Sequence, residues 1–361
     1  MKFTIDALKD FVGFADQYSE QISLAKPVSL FPDYEYSIVT ADQPIPLCFS
    51  RNKGGCVSST NIGSLLMYKG NHAERDKNAH WNTRIVSQNV SFDSFDSEQL
   101  DKLENFIYNQ FYYNVAAVLL QDFPYSYVSR LAELGHVACV CYGLGKNGDL
   151  IANVQVFNPL FITTRDFEKA IFSYLPEVEK TLDTFIAGTF IAEFPTLSLT
   201  IGSHYESYFS TLSLRRKNAR KRFDYLNSTH LEITNRTIIM GDFNPRTLSR
   251  LTDEKTKWKT GIQKLDRFIY LARLVPFVVL SMFGVNPRKE LDSYTDYGVI
   301  YPEKATKTSI KMFGIVILDT QKLGWVIDAC QTLISKDEME IYTMDENGVS
   351  DHHPIYFYIV D

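Results

Sequence analysis

Acidic, amide and imidazole side chains recur in this sequence at one kind of place, the end of a short apolar run. Cys56–Asn61 closes on Asn61, Val115–Leu120 runs into Gln121-Asp122, and Leu197–Ile201 runs into Gly202-Ser203-His204. Thr237–Met240 leads straight into Gly241-Asp242-Phe243-Asn244. Asp266 stands just ahead of another apolar stretch, and Asp351-His352 just ahead of the last, Ile355–Val360. If these runs are strands, their polar ends collect on loops at one rim of a rigid sheet, where binding and catalytic groups gather. Hard oxygen donors of this kind suit magnesium, manganese or calcium better than zinc. Imidazoles among carboxylates add donors for phosphate oxygens and partners for a water-activating carboxylate, the requirements of metal-assisted phosphoester cleavage. Each group has a plainer reading alone: Gly-Asp-Phe-Asn makes turns, Asp122 ahead of Pro124 can cap one, and His352-His353 can be a surface pair.

Elements that could hold such a set are legible around it. Asp96 with Gln99 three residues on is a capping-box start, and Leu100, Leu103, Phe106, Ile107 and Phe111 recur on one helical face. The continuous run Val115–Leu120 suits a strand buried on both faces. A second helix and strand are expected over Tyr127–Leu134 and His136–Tyr142, then a strand over Leu150–Phe157, helix over 165–185 and a charged helix over Tyr205–Leu226. Residues 1–50 read as a lead-in with an amphipathic helix near Ile5–Tyr18, and Lys69–Asn89 as polar sequence rich in Asn and Lys. Helices and strands alternate, but several strand pairs look like antiparallel hairpins. That favours an α+β sandwich flanked by helices over a doubly wound parallel sheet.

The 361 residues, 45% hydrophobic and 22% charged, are ordinary for a globular chain with a large core. A net charge of −6 offers no global attraction to nucleic acid or an anionic membrane, although a bound cation inverts the field locally. No apolar stretch reaches the length of a membrane span, and Met1–Gln21 lacks the pattern of a signal peptide. The five cysteines are unpatterned and read as buried free thiols. A cytoplasmic location is expected, and a protein delivered directly into a host cell would look the same. The basic run Arg215–Arg222 reads first as a solvated helix face and second as a polyanion site. Lys146 within Gly143–Gly148 lacks the spacing of a phosphate loop and makes a turn.

At the strand ends the chain resembles the endonuclease/exonuclease/phosphatase superfamily, the deoxyribonuclease I-like fold. Ile238–Asn244 is similar to its strand-then-GDFN signature, and Ser350-Asp351-His352-His353-Pro354 to its closing SDH-x-P element. Leu265-Asp266-Arg267 resembles its Asp-Arg strand start and Leu119–Asp122 its LQE element. Ser203-His204 resembles the strand-end His, and Ser59–Ile62 the opening Asn strand. Six elements stand in family order across about residues 56–360. The resemblance implies a four-layer α/β/β/α sandwich over residues 51–361, with two mostly antiparallel sheets face to face. The stretch from Asp266 to Asp351 is longer than the family pattern and implies an insertion near 285–345.

Carried over residue by residue, the resemblance implies that Asn61 and Asp122 hold magnesium or manganese, with Asp351 nearby. Asp242 would orient and deprotonate the attacking water, and Asn244 would position water or phosphate. His352, oriented by Asp266, would contact the scissile phosphate, and His204 would donate to a phosphate oxygen or assist the leaving group. Tyr205 and Arg267 would bind substrate. Asp122 departs from the family's usual Glu and is one methylene shorter. A phosphodiester in nucleic acid is the first expected substrate, because His204-Tyr205-Glu206-Ser207 is similar to a stretch in DNA-end-processing members. The alternatives are an inositol phosphate or phosphoinositide, and a retired hydrolase serving as a binding module.

Overall fold

The structure is a computed structural model that describes residues 2–4, 35–40, 46–51, 55–61, 64–69, 83–92, 95–144, 150–176, 188–206, 212–228, 236–243, 296–304, 306, 309–312, 315–319 and 326–359. Two large sheets carry the fold. The first has seven strands in the order β1 (Lys2–Thr4), β10 (Ile171–Pro176), β11 (Gly188–Phe194), β12 (Leu199–Tyr205), β13 (Thr237–Asp242), β17 (Asp328–Thr332) and β14 (Val299–Ile300). The second has eight, in the order β18 (Met339–Thr343), β19 (Ile355–Ile359), β6 (Arg84–Asn89), β7 (Ala117–Pro124), β9 (Leu150–Phe157), β8 (His136–Leu144), β5 (Ser64–Lys69) and β2 (Glu35–Thr40). Two hairpins stand apart, β3 (Pro46–Arg51) with β4 (Gly55–Asn61) and β15 (Ser309–Met312) with β16 (Ile315–Asp319).

Neighbouring strands are antiparallel except for one pair in each sheet: β6 with β7, and β12 with β13. A parallel pair needs a crossover. Helix α1 (Ser97–Tyr112) supplies it between β6 and β7, and α4 (Leu212–Ser228) between β12 and β13. The short helices α2 (Val128–Leu131) and α3 (Thr164–Glu168) complete the set described. Helix α1 starts where expected: the Asp96 side chain accepts from the N–H groups of Glu98 and Gln99, and Gln99 reaches back to the Asp96 N–H.

Alternation along the strands builds the four layers. On β7, Ala117 and Leu119 point into the gap between the sheets with Phe190, Ile201, Met240 and Phe357. Val118 and Leu120 point outward, beneath Leu100, Leu103 and Ile107 of α1. On the far side Ile239 and Ala329 meet Ala219 and Leu226 of α4. The run Val115–Leu120 is thus buried on both faces as its composition predicts. The α/β/β/α sandwich with helices outside is the architecture present.

Several local expectations change. Helix over 165–185 stops at Glu168, and Ile171–Pro176 is a strand instead, because Phe172 alternates into the inter-sheet core and pairs across to Ala192. Within the polar stretch Lys69–Asn89, Arg84–Asn89 forms β6, between β19 and β7 in the second sheet. The stretch 285–345, expected as an insertion, contributes β14 and β17 to one sheet and β18 to the other. The helix expected near Ile5–Tyr18 lies outside the described residues. No helix among the described residues is long and apolar enough to cross a membrane.

Gly241 marks the tightest point of the first sheet. It lies opposite His204 in the parallel register, at a φ of +151°, and a Cβ there would stand 1.9 Å from the His204 carbonyl oxygen. Neither backbone can yield without breaking the ladder that carries Asp242. Gly241→Ala should therefore cost about 3 kcal/mol or more of folding stability, read as a lowered urea midpoint. A midpoint equal to wild type would contradict the close approach.

Candidate active site

Both parallel pairs end at the same edge of the sandwich, and the outer ends of parallel strands are where sheets of this kind bind ligands. Asn89 ends β6, Asp122 lies near the end of β7, and Asp242 ends β13. Two antiparallel neighbours bring their opposite ends to that edge, so Asp328 opens β17 and His352 lies just before β19.

Asp242 and Asp328 are direct register partners across β13 and β17, and each is 2% exposed. His352 Nδ1 lies 3.2 Å from Asp328 Oδ2. One ligating atom from each of Asp242, Asp328 and His352 falls within 4.8 Å of the others. From the opposite sheet the Asn89 amide donates to both Asp242 Oδ2, at 2.9 Å, and Asp122 Oδ2, at 3.1 Å. Asn89 Oδ1 is itself held by the Ser91 N–H at 2.8 Å, and Ser91 Oγ donates to Asp351 Oδ1 at 2.8 Å. Ser350 Oγ donates to the Asn89 carbonyl at 2.6 Å, so the Asp351-His352 loop is fastened to the end of β6.

Asp122 reaches this cluster through a bulge. Pairing of β7 with β9 slips between Leu120 and Phe123, and Asp122 sits in the left-handed region at φ +55°. Asp tolerates that conformation better than most residues. The extra residue turns two successive side chains inward, Gln121 onto Ser203 at 2.9 Å and Asp122 onto Asn89, before Phe123 resumes the outward position.

His204 points the other way, toward α4. Its Nδ1 lies 2.9 Å from Thr189 Oγ1, its Nε2 3.5 Å from Glu206 Oε2, and its ring packs on Phe243 at 4.4 Å between centroids. Burial, then the Arg222 guanidinium, pushes its pKa down to about 4 against the pull of Glu206, so the ring is neutral at pH 7. The structure does not bring it to the cluster of Asp242, Asp328 and His352, contrary to the expectation that it donates to phosphate. Tyr205 alternates to the opposite side and packs with Phe92 and Ile151. The basic run divides likewise: Arg216, Lys217, Arg220 and Lys221 are exposed, whereas Arg222 is buried and bonds Gln331 at 2.8 Å.

Two members of the cluster are residues that the sequence reading did not single out. Asn61 ends β4 in a two-stranded hairpin outside both large sheets, and the amide that meets the carboxylates belongs to Asn89. The carboxylate on His352 is Asp328, only 24 residues upstream, which removes the over-long spacing counted from Asp266. Asp266, Arg267 and Asn244 lie outside the described residues. Both missed residues had a signal, since Ile85-Val86-Ser87-Gln88-Asn89 and Val326-Ile327-Asp328 are short β-branched runs ending on an amide or acid.

The neutral, buried His204 makes stability depend on pH. Its pKa is about 4 when folded and near 6.5 when exposed, so the unfolded chain binds the proton more readily between these values. The contribution is complete above pH 6.5 and is lost as pH falls through 4. Relative to His204→Gln, the wild type should lose about 3 kcal/mol more over that window, measured by denaturant melts. Parallel curves for the two proteins would refute the buried neutral imidazole.

No family model matches the chain, and no curated protein matches it in sequence. Solved structures do. One is TDP2 of D. rerio complexed with a single-strand DNA product, at 13% identity and TM-score 0.43, covering 78% of this chain and 99% of that one. Another is the endonuclease domain of TRAS1, a telomere-specific non-LTR retrotransposon, at 13% identity and TM-score 0.37, with 77% and 98% covered. A third is an endonuclease/exonuclease/phosphatase family protein from Leptotrichia buccalis, at 10% identity and TM-score 0.45, with 77% and 100% covered. The chain is thus similar to solved structures at 10–13% identity, among them one described as an endonuclease/exonuclease/phosphatase family protein.

Proposed function

We propose that this chain is a divalent-metal-dependent phosphoester hydrolase that cleaves a phosphodiester, with nucleic acid as the substrate class. The observation that carries the reading is the His352–Asp328 pair beside Asp242, faced by an Asn89 amide that also holds Asp122. Buried carboxylates persist only when charge is balanced, and here buried Asp242 and Asp328 share one edge with half-buried Asp122 and Asp351. Asp328 Oδ1 is buried without a hydrogen-bond partner. An all-oxygen, strongly acidic set of this kind fits magnesium or manganese.

Asn89, Asp122 and Asp351 are the residues we assign to the ion. The tighter trio of Asp242, Asp328 and His352 is less suited, because Asp328 Oδ2 and His352 Nδ1 already bond each other and a cation there would part them. The bulge at Asp122 supports its place in the site despite the shorter side chain. When bound, the cation supplies Lewis-acid polarisation of a phosphoryl oxygen.

The remaining chemistry belongs to side chains. Asp242 accepts the proton of a water lined up on phosphorus, and the Asn89 amide keeps its carboxylate aimed. Asp328 on Nδ1 orients the His352 ring, and in the protonated ring Nε2–H donates to a phosphoryl oxygen as charge builds there. Water attack forms the new P–O bond while the bond to the leaving oxygen breaks, and that oxygen departs with a proton from solvent.

The test is turnover of bis(4-nitrophenyl) phosphate and nicking of plasmid DNA by the full chain. Activity should require magnesium or manganese and vanish with EDTA. Asp242→Asn and Asp328→Asn should each lower kcat by about 10²–10⁴-fold, and Asn89→Ala by a comparable factor. A wild type inert with both metals would end the enzyme reading. Release of inorganic phosphate from inositol lipids without nicking would replace the nucleic-acid assignment.

A further inference from the structure

The two members of the His352–Asp328 pair come from different sheets. Asp328 opens β17 in the first sheet, and His352 leads into β19 in the second. Something must hold their backbones at a fixed separation, because 1 Å of drift would part Nδ1 from the carboxylate.

The segment after β14 crosses between the sheets at this edge. β14 pairs with β17 through Val299 and Ile300 only, opposite Gln331 and Cys330, and among the described residues no strand meets the N–H groups that open β17 on that side. Thr306 takes that place. It is fully buried, and its Oγ1 accepts from the N–H groups of both Ile327, at 3.0 Å, and Asp328, at 3.1 Å. Its carbonyl accepts from the N–H of His353, the residue after His352, at 2.7 Å. The far end of the crossing is pinned too, since Thr343 Oγ1 on β18 donates to the Lys304 carbonyl at 3.0 Å. One side chain and one carbonyl of the same residue thus grip the backbones beside both partners.

We infer that Thr306 is a positioning residue for the reaction, setting Asp328 and His352 at bonding distance across the two sheets. The inference rests on the hydrolase reading of this site. A hydroxyl is needed for it, not merely a β-branched filler: Val matches the shape but leaves two buried N–H groups without an acceptor. Ser keeps the acceptor and gives up only a methyl group.

The experiment compares Thr306→Val and Thr306→Ser in the full chain with magnesium and manganese. Thr306→Val should lower kcat for bis(4-nitrophenyl) phosphate about 10–100-fold with KM within about threefold, the range seen when the group behind an active residue is removed. Thr306→Ser should stay within about threefold of wild type in both. The downfield imidazole Nδ1–H proton resonance of His352, identified by its loss in His352→Gln, should persist in Thr306→Ser and vanish in Thr306→Val. Should Thr306→Val fail to fold, Thr306→Ala against Thr306→Ser makes the same comparison. A folded Thr306→Val with wild-type kcat and an unmoved resonance overturns the inference, as does a Ser variant as impaired as the Val one. If the wild type is inert, the hydrolase reading fails on that result, and the resonance alone decides whether Thr306 holds the pair.

Discussion

Asp242 and Asp328 face each other across adjacent strands with almost no exposure to water, and their mutual repulsion shapes what surrounds them. Buried carboxylates call for hydrogen-bond donors or a cation beside them. The protein supplies the Asn89 amide on one side and the His352 imidazole on the other, each carried by the opposite sheet. The sandwich is therefore tied together at this edge by polar contacts, in contrast to the Phe-rich packing of its middle. Separation of the sheets would expose the core and also leave two acids without partners.

Local irregularities at this edge each have a geometric task. The bulge in β7 turns Gln121 and Asp122 to the same side, which regular alternation forbids. Gln121 then meets Ser203 and Ser87, forming a buried polar layer just beneath the acids. Gly241 lets β13 run against His204 closely enough to bring Asp242 to the end of the ladder. His204 and Arg222 work from the outer side, where a neutral ring and a buried guanidinium pack on Phe243, the neighbour of Asp242.

Much of this was readable in the residues themselves. The two-faced strand at Val115–Leu120, the capped helix over α1, the Gly-Asp-Phe strand end and the Asp351-His352 loop follow from periodicity and local chemistry. What escaped was decided by pairing between distant segments. Asn61 and Asn89 both end short strands, and only the pairing of β6 with β7 and β19 distinguishes them. Asp266 precedes a more apolar run than Asp328 does, but β17 is the strand that adds to β13. His204 has the right neighbours in sequence, and the alternation of β12 alone turns it away from the cleft. Motif order located the edge of the sheet, whereas side-chain parity and strand partners chose the residues.

The contacts at this edge join positions remote in the chain: Asn89 to Asp242 across 153 residues, and Gln88 to the His352 carbonyl across 264. Loop closure over such separations is slow, and its entropy must be met before any contact forms. The crossovers through α1 and α4 allow each half to form its own parallel pair, but neither half owns a complete site. Assembly of the acidic edge thus waits for the two sheets to close on each other. Pairing of β19 with β6 is the step that brings the Asp351-His352 loop against Asn89, so the last contacts of this edge depend on the pairing of segments far apart in sequence.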